Sequence, residues 1–188
     1  MDTYHCYREL RRCETAFTIE LCDRGSPVTI LAPHGGRIEP HTTDIAWLIA
    51  GDDFNYYSFN GAKEGCNRIL HITSHRFDEE RALALAQRSE TVIAVHGCTR
   101  KEKVVFLGGL DNRLKQRIAA NLERERIPHV HSVKRFSGIH TDNICNRGIT
   151  GRGVQLEISR PLRDDPEAWS AIARAVRAAI DPENTSCR

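Results

Sequence analysis

The chain has 188 residues, with 27 Lys and Arg against 25 Asp and Glu for a net charge of +2, and 40% of its residues are hydrophobic. So small an excess argues against a protein whose main task is gripping a phosphate backbone, because such proteins gather basic residues on one face or tail. The longest uninterrupted apolar run, Ile45 to Ala50, falls far short of the roughly 20 residues that cross a bilayer, and the start Met1-Asp2-Thr3-Tyr4-His5-Cys6 has neither the basic head nor the apolar core of a secretory signal.

The expected product is therefore cytoplasmic as synthesised, without a membrane anchor, and lysis is a route by which it could be released. Its length suits one domain over residues 1–188 with a core of its own. Seven cysteines at 6, 13, 22, 66, 98, 145 and 187 are scattered, with no CxxC pair, and read as reduced thiols.

Residues 17–22 and 28–32 are β-branched or apolar runs joined by Asp23-Arg24-Gly25-Ser26, a turn-forming cluster that predicts a hairpin leading into Pro33. Thr42, Thr43 and Asp44 offer capping oxygens to a short helix over Ile45 to Ala50, and Gly51 can end it. Phe54 to Phe59 and Ile69 to Ile72 read as strands, and Asp78 as the cap of a helix running to about Arg88. Thr91 to Val95 is a continuous apolar run typical of a buried strand. Val104 to Leu107 predicts another strand, followed by a helix capped by Asp111 in which Leu114, Ile118 and Leu122 recur every fourth residue. Val130 and Val133 suggest a further strand, 137–153 an irregular stretch, and Val154 to Ile158 a strand of alternating polarity. A final helix opens at Pro166 and carries Trp169, Ile172, Val176 and Ile180 at helical spacing. Strands alternating with helices predict an α/β fold, a single domain with a mixed central sheet flanked by helices.

In such sheets, ligands bind beyond the carboxyl ends of strands. Two of those ends carry a histidine followed by glycine, His34-Gly35 and His96-Gly97, and Glu39 lies five residues beyond His34 across a loop that Gly35 and Gly36 let fold back. Two imidazoles and one carboxylate, with a fourth position open, are a donor set for catalytic zinc. Zinc hydrolysis needs a base, and Glu157 stands in Val154-Gln155-Leu156-Glu157-Ile158-Ser159; periodicity alone leaves open whether its polar face lines a site or faces solvent. Thr73 and Ser74 are placed as hydrogen-bond donors near the site. His71 and His75 need not converge, and Cys98 lacks the orienting partner of a nucleophile.

The blocks Pro33-His34-Gly35-Gly36-Arg37-Ile38-Glu39-Pro40, Leu70-His71-Ile72-Thr73-Ser74, Val95-His96-Gly97, Asn143-Ile144-Cys145-Asn146-Arg147 and Gly153-Val154-Gln155-Leu156-Glu157-Ile158-Ser159 occur in the order seen in the poly-γ-glutamate hydrolase family, which the chain resembles from about Leu31 to Arg163. That family consists of small zinc-dependent γ-glutamyl hydrolases, many of them phage-encoded, with an α/β fold like that of zinc carboxypeptidases. The resemblance implies His34, Glu39 and His96 as zinc ligands, Glu157 as general base, and Asn143, Asn146 and Arg147 on the substrate side.

Each residue of poly-γ-glutamate keeps a free α-carboxylate, so its recognition calls for arginine. Arg147 is the first choice, ahead of Arg152, Arg160 and Arg163. The expected partner is poly-γ-glutamate or a related γ-glutamyl substrate, with no nucleic acid, and the expected state is a monomer. The rivals are a zinc amidohydrolase acting on another N-acyl amino acid, and a phage-associated replication or nucleic-acid factor.

Overall fold

The computed structural model describes residues 2–132, 134 and 136–180. In chain order the elements are α1 (Tyr7–Cys13), β1 (Phe17–Cys22), β2 (Val28–Gly36), α2 (Thr42–Ala50), β3 (Asn55–Gly61), α3 (Glu80–Gln87), β4 (Thr91–Cys98), β5 (Val105–Gly108), α4 (Asn112–Arg124), β6 (His129–His131), β7 (Val154–Ser159), α5 (Arg160–Arg163) and α6 (Pro166–Ile180). Single 3-10 turns lie at Asn67–Leu70 and Ile144–Asn146.

The strands form one mixed seven-stranded sheet in the order β1-β3-β2-β4-β7-β5-β6. β3, β2, β4 and β7 run parallel, while β1 pairs antiparallel with β3 and β5 antiparallel with β7. The strongest apolar runs take the middle of the sheet, where both faces are covered. Val28, Ile30, Ala32, Ile93, Val95, Val154, Leu156 and Ile158 share one core with α2, α4 and α6. Leu31, Val92 and Ala94 face the other way and share a second core with α1 and α3. No helix among the described residues is long and apolar enough to cross a membrane.

Capping follows the side chains available. Asp111 Oδ1 accepts from the Leu114 amide at 2.9 Å to start α4, and Gly51, at φ 52°, ends α2. α3 is capped by Glu79, whose carboxylate accepts from the Arg81 and Ala82 amides. Asp78, the cap expected from the sequence, instead accepts from the Tyr7 amide and ties down α1, which the sequence did not announce.

Two other expectations are corrected. β1 and β2 do not form a hairpin, since β1 pairs with β3 and β2 lies between β3 and β4. The half-exposed, alternating β1 suits an edge, whereas β2 is buried along nearly its whole length and needs a neighbour on each side. Ile69 to Ile72 is a 3-10 turn and an extended segment outside the sheet. Val133 and Cys187 lie outside the described residues. No disulfide joins the described cysteines, of which only Cys98 and Cys145 are buried.

Candidate metal centre

β2 is followed in sequence by β3 on one side of it in the sheet, while β4 lies on the other side. The loops leaving β2 and β4 therefore part, opening a crevice beyond their carboxyl ends, as the topology of open parallel sheets requires. His34 is on β2, His96 on β4, and Glu157 on β7 is the registered partner of His96, so those two side chains share a face of the sheet.

The loop after β2 returns Glu39 to the same place. Gly36 takes φ 60°, and a Cβ there would come within 2.6 Å of the Gly61 carbonyl oxygen, so the turn favours glycine. The Glu39 amide then donates to the His34 carbonyl at 2.9 Å, and the Thr42 hydroxyl to the Glu39 carbonyl at 2.8 Å. The Gly97 amide donates to Glu39 Oε2 at 2.8 Å, fixing the carboxylate from the β4 side.

The two imidazoles present matching nitrogens. His34 Nε2 lies 2.8 Å from the Ile72 carbonyl, which can only accept, so this nitrogen carries the proton and Nδ1 is left with its lone pair. His34 Nδ1 is 3.0 Å from Glu39 Oε1 and 3.0 Å from His96 Nδ1. His96 Nδ1 is 3.6 Å from Glu39 Oε2, and its Nε2 shares a hydrogen bond with Ser74 Oγ at 3.3 Å. Facing nitrogen lone pairs repel unless a proton or a cation lies between them. Two imidazoles and one carboxylate, each held from behind by a second partner, fit a zinc ion on the chemistry of the donor set. Burial alone would raise the Glu39 carboxyl, but when a proton lies between these nitrogens the charge and hydrogen bonds of His34 and His96 hold it well below the usual carboxylate range.

His71, set aside in the sequence, joins this cluster. Its ring lies 4.0 Å from that of His34, and its Nε2 is 3.9 Å from Glu39 Oε1. Potential ligand atoms of His34, Glu39 and His71 all fall within 4.8 Å of one another. His71 Nδ1 hydrogen-bonds Asp2 Oδ1 at 2.8 Å, while Asp2 Oδ2 accepts from the Thr73 amide at 2.7 Å and from the Arg76 guanidinium. Burial, helped by His34, pushes His71 down to about 4, so at neutral pH it is uncharged and turns a bare nitrogen toward Glu39.

Glu157 is buried with the rest of β7, not solvated. The polar face of this strand is covered by the irregular segment before it: Asn143 Nδ2 donates to Gln155 Oε1 at 2.8 Å, and Gln155 Nε2 to Glu157 Oε1 at 3.1 Å. Burial first, and the charge of Glu39 second, push Glu157 up to about 8. Asn143 thus stands two hydrogen bonds from Glu157, and with Thr73 and Ser74 it lines the cleft.

Asn146 and Arg147 are elsewhere. Asn146 Nδ2 donates to the Gly138 and His140 carbonyls and its Oδ1 accepts from the Leu110 and Gly153 amides, so its polar capacity is spent holding loops. Arg147 lines neither of the two cavities described below and donates to Asp142. Asn146 likewise lines neither cavity. Arg160 pairs with Asp164, and buried Arg163 donates to the carbonyls of Pro40, Cys98 and Ile158, clamping the three loops of the site. Burial raises the Cys98 thiol, which does not suit a nucleophile.

A model of the poly-γ-glutamate hydrolase family matches residues 4–170. The UPF0714 protein YndL of Bacillus subtilis (strain 168) is 33% identical over 166 residues, which make up 86% of this chain and 66% of YndL, so this chain spans about two thirds of that relative. The structure of a bacteriophage poly-γ-glutamate hydrolase matches with a TM-score of 0.92 at 29% identity, over 98% of this chain and 99% of that one. The zinc-free apo structure of YndL matches with a TM-score of 0.91 at 28% identity, over 96% and 98%. The chain belongs to the poly-γ-glutamate hydrolase family.

Proposed function

We propose that this member of the poly-γ-glutamate hydrolase family is a zinc enzyme that cuts γ-glutamyl amide bonds, with His34 Nδ1, His96 Nδ1 and Glu39 holding the metal and Glu157 acting as the base. The observation that carries the reading is the 3.0 Å approach of the two Nδ1 atoms over the Glu39 carboxylate, beside a buried glutamate in register with His96. The zinc-free description of the YndL structure supports the choice of metal.

Zinc held there supplies a Lewis acid that polarises a carbonyl and lowers the pKa of water from 15.7 to about 7. The remaining work belongs to the chain. Glu157 takes the proton of the attacking water and returns it to the departing nitrogen, for which a carboxyl near neutrality is suited. Gln155, donating to Oε1, holds that carboxyl in one orientation. His71, fixed by Asp2, offers an uncharged imidazole at the edge of the same space. Thr73 and Ser74 line the cleft beside it and are proposed to orient substrate.

The test is metal analysis of the purified protein together with a chain-length assay on poly-γ-glutamate, before and after chelation and with zinc restored. One zinc per chain and activity that follows the metal are expected. A protein without zinc whose activity ignores the chelator would sink the mechanism. A panel of N-acyl amino acids beside the polymer tests the substrate.

A further inference from the structure

Two cavities, of about 590 and 380 Å³, meet over the site and share Glu39, His71, Phe136 and Glu157, so they are the two arms of one cleft. The arms differ in charge. The smaller is walled by Thr73, Ser74, His75, His140, Asn143 and Gln155, with no lysine or arginine among the described residues that line it. The larger carries Arg68, from the turn after β3, and Arg100 and Lys101, from the loop between β4 and β5.

These three cations are exposed, and none has an ion-pair partner among the described residues. Other arginines around the cleft are committed: Arg76 to Asp2, Arg147 to Asp142, Arg160 to Asp164, and Arg163 to three carbonyls. Arg100 lies 5.9 Å over the ring of Phe106, which steadies the guanidinium while leaving its N–H edges available. Among the described residues that line it, Glu102 is the one acid of that arm outside the floor of the site.

We infer that Arg68, Arg100 and Lys101 form a polyanion subsite, in which the free α-carboxylates on one flank of the substrate chain are held while its γ-amide lies over Glu157. This deepens the proposed function and rests on it. Three cations left uncompensated beside a site with acidic residues on its floor attract a ligand carrying one carboxylate per repeat. They act on residues remote from the bond that breaks, so they bear on capture of the polymer more than on turnover.

The experiment compares the wild-type holoenzyme with Arg68→Gln/Arg100→Gln/Lys101→Gln and with Arg8→Gln/Arg11→Gln/Arg12→Gln, which removes the same charge from α1. Fluorescent poly-γ-glutamate serves as binding probe and as substrate, and a γ-glutamyl dipeptide as a substrate too short to reach the subsite. For the first variant, polymer Kd and KM are expected to rise roughly 10- to 100-fold, each exposed pair being worth up to about fivefold. Its salt dependence should flatten, and its kcat and dipeptide turnover should hold, while the α1 variant behaves as wild type.

Equal Kd and salt dependence in all three proteins overturn the subsite, as does equal displacement of the polymer by a DNA oligonucleotide of the same charge. A wild type that holds the polymer through these cations but leaves it uncut keeps the subsite and overturns the hydrolase. A wild type that neither holds nor cuts it overturns both.

Discussion

The floor of the cleft and its rim are held by different forces. On the floor His34 and His96 are 2% and 1% exposed, the second nitrogen of each is tied to Ile72 or Ser74, and Glu157 is buried behind Gln155. On the rim Arg68, Arg100 and Lys101 stand in solvent on a turn and a loop. Buried polar groups are costly unless satisfied, so the floor is organised before substrate arrives. Rim cations lose rotamer freedom on binding and each gains little. The floor should therefore set the metal and the rate, and the rim the affinity.

The largest effect is expected from His96→Ala, which removes one of the two facing Nδ1 atoms. Bound zinc should be lost and turnover should fall below detection, read by metal analysis and the polymer assay. A variant that keeps a full zinc complement would move the third ligand to His71, whose Nε2 lies 3.9 Å from Glu39.

Glu157→Gln keeps the shape of the floor and removes the base. Zinc should stay, while kcat falls about 10²- to 10⁴-fold, the range for a positioned acid or base. If zinc leaves with the carboxylate, Glu157 is part of the metal shell and the division of labour on the floor is wrong.

Gln155→Ala tests how far the floor depends on what lies behind it. Losing the hydrogen bond to Glu157 Oε1, and stranding Asn143, should lower kcat about 10-fold with zinc retained, by analogy with other outer partners of catalytic groups. A rise in KM at unchanged kcat would instead make Gln155 a substrate contact.

The same division explains what could be read without the fold. His34 and His96 sit at the ends of apolar runs, where the rules of parallel sheets already place ligands, and Glu39 is tied to His34 by a local glycine turn. Glu157, by contrast, stands within an alternating strand whose polar face periodicity alone leaves unassigned. β1 misled because neighbouring strands joined by a turn cluster favour a hairpin, whereas the burial of β2 demanded two other neighbours. The rim was illegible: Arg68 and Arg100 lie in polar stretches without period, and only tertiary packing brings them to one arm. Arg147 stands in a sequence block that suggests a substrate contact, and its guanidinium donates to Asp142 outside both arms. Asp2, 69 residues from His71, gave no signal at all.

Asp2 belongs to neither region and gives the smallest effect. Burial opposes ionisation of its carboxyl, but hydrogen bonds from Thr73 and His71 outweigh that and hold it well below its ordinary value. A carboxyl lowered in the folded state contributes stability above its unfolded pKa, here 3.8, and loses it as pH falls toward the folded value. The groups facing it are the imidazole of His71, uncharged at neutral pH, and the guanidinium of Arg76. Thermal melts of the metal-free protein should therefore place Asp2→Asn about 2–4 °C below wild type at pH 7. The gap should narrow steadily below about pH 4, where the unfolded carboxyl is protonated and the folded one is not. A gap independent of pH would mean that Asp2 contributes by shape alone, and that His71 owes its orientation to the stack on His34.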